Sequence, residues 1–204
     1  LGTSSVKTVL IDENQKTLST HTENIELLNP QTGFYEQDPE NWYEATLKCF
    51  AKIKQDKPKE FCCVRSIGIS GQMHGATVLD RNNNIIHPCI LWNDTRSMKQ
   101  CVEMEKNYPQ LQKESGNIAM PGFTAPKILW LKENKKEVFD KIYKILLPKD
   151  YLRFKLSGSY FSDMSDASGT LWLDVKQRKW SDGLLNLTDL TIENMPELVE
   201  GSEP

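Results

Sequence analysis

The stretch from Ser66 to Asp80, SIGISGQMHGATVLD, restricts the chain more than any other. Ile67 and Ile69 alternate with small residues, Ala76, Val78 and Leu79 follow, and Gly71 and Gly75 bracket three large side chains. The pattern predicts two short apolar strands joined by a tight turn. Glycine at both ends lets the backbone reverse sharply and lets a ligand come close. The turn then presents Gln72, Met73 and His74 at a strand end, where open α/β sheets tend to bind ligands. Amide, thioether and imidazole together suit a small polyhydroxylated molecule, offering two hydrogen-bonding groups and one soft packing surface. A plain hairpin turn carrying an exposed histidine fits the same residues.

A chain of 204 residues suits one well-buried domain, with at most an incomplete second. Its net charge of −3, with Lys and Glu interspersed, leaves no basic surface, so nucleic acid is not an expected partner. No apolar run is long enough to cross a bilayer and no signal peptide is in view, so a membrane is not expected either. The five cysteines, Cys49, Cys62, Cys63, Cys89 and Cys101, show no CxxC spacing. With histidines only at 21, 74 and 87, no metal site is expected, and reduced thiols in the cytoplasm are. Leu1-Gly2-Thr3 at one end and Gly201-Ser202-Glu203-Pro204 at the other read as cuts through a longer protein.

Along the chain, LGTSSVK (Leu1 to Lys7) puts a glycine and three hydroxyl residues before an apolar run, Val9 to Ile11. Asp12 to Gln15 is a turn, and Lys16 to Leu28 reads as a second strand. A turn at Gly2 to Ser5 can cradle phosphate with amides and hydroxyls, or can be an ordinary loop. Asp38-Pro39 starts a helix with a cap and a proline; Trp42, Ala45, Leu47, Cys49 and Phe50 give its apolar face, and Lys57-Pro58 ends it. Ile85 to Leu91 reads as a strand delivering Trp92-Asn93-Asp94-Thr95-Arg96. There Asp94 can meet a substrate hydroxyl, or Asp94 or Thr95 can cap a helix from Arg96. Thr124 is a predicted N-cap of an amphipathic helix, and Pro148 opens another that Gly158 closes. Asp163 and Asp166 invite a carboxylate-pair or metal reading, or serve as turn and cap formers among serines. No GxxxxGK[ST] phosphate loop is present, so any nucleotide site must use another architecture.

These pieces, in this order, resemble the FGGY carbohydrate kinases. LGTSSVK is similar to the family's first phosphate hairpin, and SGQMHGAT to its sugar-binding turn. ILWNDTR, NIAMPGFTAPKILWLKEN, LLPKDYLRFKLSG and SDMSDASGTLWLDV follow in register. Gly122 through Asn134 fits the first family signature at each constrained position, including Thr124, Lys127, Trp130, Glu133 and Asn134. The similarity runs over essentially the whole chain.

The resemblance implies an α/β, ribonuclease H-like (actin-like ATPase) domain, a mixed sheet flanked by helices and truncated at both ends. Residues 1–204 would be most of the sugar-binding N-terminal domain, without the ATP-binding C-terminal one. It implies ATP and Mg2+ as cofactors, and phosphoryl transfer to D-xylulose in the full-length protein, expected as a homodimer. Met73, His74, Trp92 and Asp94 would line the sugar pocket, and Gly2, Thr3, Ser4 and Lys7 would lie near the ATP phosphates. The family's base aspartate falls beyond Pro204, so no catalytic residue is assigned here and the chain alone is expected to be inactive. Kinases of ribulose, gluconate or glycerol, and a non-catalytic sugar-binding module, are the alternatives. Met73-His74 argues against glycerol, for which the family carries an Arg-Glu pair.

Overall fold

Alternation along Ser5–Ile11 (β1) sends Val6 and Leu10 into the core and leaves Lys7, Val9 and Ile11 outside. The carboxylate of Asp12 closes the reversal, accepting from the backbone N–H groups of Asn14 and Lys16 at 2.9 Å each. Thr17–Asn24 (β2) returns antiparallel to β1. In this computed structural model, which describes residues 1–202, the hairpin is covered by one long helix.

That helix, Pro39–Asp56 (α1), follows the short strand Glu36–Gln37 (β3). Asp38 caps it, accepting from Glu40 N at 3.0 Å, and Pro39 fits the first turn because its missing N–H would be unpaired there anyway. Trp42, Ala45, Thr46, Cys49 and Ile53 recur at helical spacing and are buried. Leu47, expected on that face, falls off the stripe and is 43% exposed. A short turn of helix, Pro58–Phe61 (α2), follows.

The first arm predicted in Ser66–Asp80 is not a strand. Arg65 to Ile69 makes no backbone hydrogen bond among the described residues, and Ile67 is 57% exposed. An apolar alternating segment becomes a strand only where a neighbour pairs with it. Only its end is engaged: the Leu1 ammonium donates to Ser70 O, and Gln72 N donates to Leu1 O, both at 2.8 Å. The second arm does form, as the wholly buried Thr77–Leu79 (β4). Cys89–Ile90 (β5) pairs antiparallel with β3, and a bridge from Ile90 to Ala76 carries the pairing on towards β4. Met98–Asn107 (α3), Leu111–Ser115 (α4), Thr124–Asn134 (α5) and Lys136–Phe139 (α6) come next. Lys144–Leu146 (β6) then pairs antiparallel with β4.

Pro148–Ser157 (α7) ends at Gly158, whose φ of 77° suits glycine. Phe161–Asp163 (β7), Met164–Ala167 (α8) and a 3-10 turn, Ser168–Thr170, lead to Leu173–Asp174 (β8) and Lys179–Trp180 (β9), an antiparallel pair. Asp182–Asn186 (α9) and Glu197–Val199 (β10) complete the chain, β10 lying parallel to β7. Among the described residues, two apolar clusters result. One gathers Val6, Trp42, Leu79, Leu91 and Tyr151; the other gathers Val78, Ile128, Leu131, Trp172 and Leu184. At about 1.5–3 kcal/mol for each fully buried large apolar side chain, these clusters hold the strand ends in place.

Candidate active site: a clamped turn beside a hydroxyl hairpin

The turn at Gln72 to Gly75 is gripped from several elements. His74 has a φ of 63°, a left-handed conformation that costs a residue with a Cβ about 1–2 kcal/mol. Such a backbone persists only where its surroundings over-determine it. Here the His74 carbonyl accepts from Lys127 Nζ at 2.8 Å and from Thr124 Oγ1 at 3.1 Å. Both donors stand in the first turn of α5. Thr124 thus spends its hydroxyl on the turn rather than on capping its own helix, whose N-cap is Phe123. Phe123 packs its ring 4.7 Å from the imidazole. A Cβ at Gly75 would strike Pro148 and Cys89, and one at Gly169 would overlap the His74 ring, so both glycines are needed for close approach.

Hydrogen bonding fixes the state of His74. Its Nδ1 lies 2.9 Å from Gly169 O; a carbonyl only accepts, so Nδ1 carries the proton and Nε2 is left as an acceptor. Burial, reinforced by the Lys127 charge and only partly offset by the Gly169 bond, lowers the His74 pKa to about 4. The ring is therefore neutral near pH 7. Lys127 is completely buried, donates to His74 O and to Gly122 O at 2.7 Å, and faces no carboxylate at salt-bridge distance among the described residues. Burial lowers its pKa to about 7.

The structure brings the two predicted sets of residues together at one bond: Trp92 Nε1 donates to Thr3 Oγ1 at 3.0 Å. Met73 and Trp92 are 46% and 42% exposed, so both offer apolar surface beside the turn. Gly2 and Ser4 are exposed, and Gly2 N closes the turn onto Ser5 O at 2.9 Å. Thr3 accepts through its hydroxyl and so keeps that proton to donate. Lys7 is exposed on the outer face of β1, one strand turn from Ser5.

Asp94 is different. It is 1% exposed, and Arg96 grips it through Nε and a terminal nitrogen, while Tyr35 N donates to Oδ2 at 2.7 Å. Arg96 also pairs with Glu36 at 2.7 Å and lies 3.9 Å over the Phe34 ring. Asp94 accepts from Arg96 N as well, but the helix starts only at Met98, so the expected start at Arg96 is two residues early. Its carboxylate holds Arg96 and the Tyr35 backbone in place, with both oxygens already hydrogen-bonded.

Several contributors carried no separate signal in the sequence. Gln37 reads only as the residue before a helix cap, yet it is 1% exposed and touches three partners. Lys149 gathers three carboxylates, Asp150 at 2.5 Å, Asp163 at 2.7 Å and Asp166 at 3.3 Å. Burial, opposed by Lys149 and aided by Asp150, raises Asp166 to about 6. Asp163 also caps α8 by accepting from Asp166 N, which fits the capping alternative read from the sequence. The Lys149 ammonium supplies the positive charge that these three carboxylates face.

Similarity to known proteins extends over the whole chain. The N-terminal domain model of the FGGY family of carbohydrate kinases matches residues 1–204. The chain is 46% identical over 203 residues to the xylulose kinase of Escherichia coli strain K12, covering 100% of this chain and 42% of that protein. Among solved structures, the kinase from Brucella ovis titled a xyloylose kinase superposes with a TM-score of 0.97 at 48% identity, covering 100% of this chain and 42% of that one. Plasmodium falciparum glycerol kinase with ADP gives 0.87 at 27% identity, covering 97% and 41%. The chain thus spans about 42% of the length of its bacterial relatives. Its sequence and its ribonuclease H-like, actin-like fold agree, and the chain belongs to the FGGY family of carbohydrate kinases.

Proposed function

We propose that the full-length protein carrying this chain transfers a phosphoryl group from MgATP to the terminal hydroxyl of D-xylulose, giving D-xylulose 5-phosphate. The observation that carries the reading is the Trp92–Thr3 bond, which sets the half-exposed Trp92 against the hydroxyl hairpin. Met73 and Trp92 supply packing for the carbon chain, and His74 Nε2 accepts from a sugar hydroxyl. Asp94 shapes the wall through Arg96. The relatives named xylulose kinase support the choice of sugar.

The donor set also suits a nucleotide. Gly2 permits close approach, Thr3 and Ser4 keep hydroxyl protons to donate, and Lys7 adds positive charge, all of which favour phosphate oxygens. ATP would supply the transferable group, and Mg2+ would come bound to its phosphates. Residues 1–204 are read as most of a sugar-binding domain, with the base and the rest of the ATP site supplied by a second domain. Catalysis is then positioning, charge stabilisation and exclusion of water as the domains close. The five free thiols fit a reducing cytoplasm, and the full-length form is read as a homodimer, to be checked by light scattering.

The test is a coupled ATP assay on the full-length protein with D-xylulose. Replacing Met73-His74 by Arg-Glu is expected to abolish ketose phosphorylation. Ketose activity unchanged by that swap would overturn the assignment of the turn.

A further inference from the structure

Two buried amides, Gln37 and Gln72, join the sugar turn to the hydroxyl hairpin, and their orientations are dictated from one end. Trp42 Nε1 can only donate, and it meets Gln37 Oε1 at 3.0 Å. Gln37 must therefore turn its oxygen towards the indole, since the flipped amide would set N–H against N–H. Its Nε2 then reaches Thr3 O at 2.7 Å. The same Oε1 accepts from Gln72 Nε2 at 2.8 Å, because a flipped Gln72 would set oxygen against oxygen. What remains is Gln72 Oε1, a buried oxygen with no hydrogen-bond partner on a residue only 7% exposed. A buried acceptor left unpaired is costly, and this one sits one residue from Met73 and two from His74.

We infer that Gln37, seated on Trp42, is a positioning residue with two arms. One arm ties the sugar turn to the hairpin through Thr3. The other turns Gln72 so that its carbonyl oxygen, rather than its NH2, is the group left to accept from a substrate hydroxyl. That oxygen is closed to solvent here, so entry of the substrate has to open the turn around it. With His74 Nε2 also an acceptor, the turn presents two acceptors and selects a ligand rich in hydroxyl donors. This rests on the proposed reading of the site as a kinase of a polyhydroxylated sugar.

The test uses the full-length protein with MgATP and D-xylulose. Gln37→Met and Gln72→Met, both close in shape to the native side chain, are each expected to raise the D-xylulose KM about tenfold, a factor worth about 1.4 kcal/mol. The double variant is expected to be no worse than the poorer single, since both break one path; additive losses would overturn the relay. Gln37→Glu places a carboxyl in a seat only 1% exposed, where burial raises its pKa well above the ordinary glutamate value. It keeps the acceptor arm at any pH but the donor arm only while that carboxyl holds a proton. Its ATP KM should therefore climb between pH 6 and pH 9 while its D-xylulose KM stays close to wild type, and a flat ATP profile would overturn the Thr3 arm. A second readout needs no turnover: the Trp42 indole N–H is expected to exchange slowly with solvent in wild type and faster in Gln37→Met. An indole unaffected by Gln37→Met would sink the relay. Failure of wild-type protein to phosphorylate D-xylulose would instead sink the functional reading, and the same KM cycle is then run with the polyol it does phosphorylate.

Discussion

At His74 the backbone and the ring are held by different parts of the chain, and both holds bear on protonation. The folded pKa of about 4 lies below the ordinary 6.5, so between these values the unfolded chain binds a proton that the folded chain refuses. Stability then falls as pH drops through that window, with the sign set by burial. Asp166, raised to about 6 from 3.8, acts in the opposite sense between pH 3.8 and 6, so the wild-type curve alone does not isolate His74. Denaturant melts of wild type and His74→Gln at each pH do: wild type should lose stability relative to the variant from pH 6.5 down to pH 4. A constant difference would contradict the buried neutral ring. Lys127 invites a second experiment. Lys127→Met removes a buried ammonium that costs stability and two hydrogen bonds that supply it, so the melting temperature should move little. His74 O then keeps only Thr124, and the D-xylulose KM should rise about tenfold, the factor set by ~1.4 kcal/mol. A large loss of melting temperature with unchanged KM would make Lys127 a packing residue instead.

Among the elements, the strongest local signals gave the most faithful structure. Asp38-Pro39 capped α1 as read, Gly158 closed α7, and Asp12 turned the first hairpin, because each rests on contacts within a few residues. Ile67 and Ile69 misled for the converse reason: alternation marks a segment able to pair, and pairing depends on a neighbour that local sequence does not specify. Amide hydrogen exchange should show this directly. Amides from Arg65 to Ile69 are expected to exchange at nearly the rate of free peptide, while those of Thr77 to Leu79 are protected to the limit of global unfolding. Protection at both would mean that the first arm is paired in solution.

For the molecule as a whole, the turn Gln72 to Gly75 was legible as a candidate site because glycine, amide, thioether and imidazole fall within a few positions. What holds the turn was not legible. Gln37, Lys127, Pro148 and Gly169 lie far along the chain, and nothing local marks a lysine as buried against two carbonyls or a glycine as the seat of a histidine ring. Asp94 shows the same limit from the other side, since a carboxylate next to Trp92 reads as a ligand until Arg96 is seen to occupy it. That dispersion bears on how the protein reaches its native state. The bond from His74 to Gly169 spans 95 residues, and the one to Lys127 spans 53. Contacts closing such long loops form after local ones, since their entropic cost falls due before they return any energy. The first hairpin and α1 can therefore assemble early, while the imidazole finds its seat only when nearly the whole chain has condensed. The seated imidazole, and with it the shape of the turn, is thus a late acquisition during refolding, withheld from any partly folded chain.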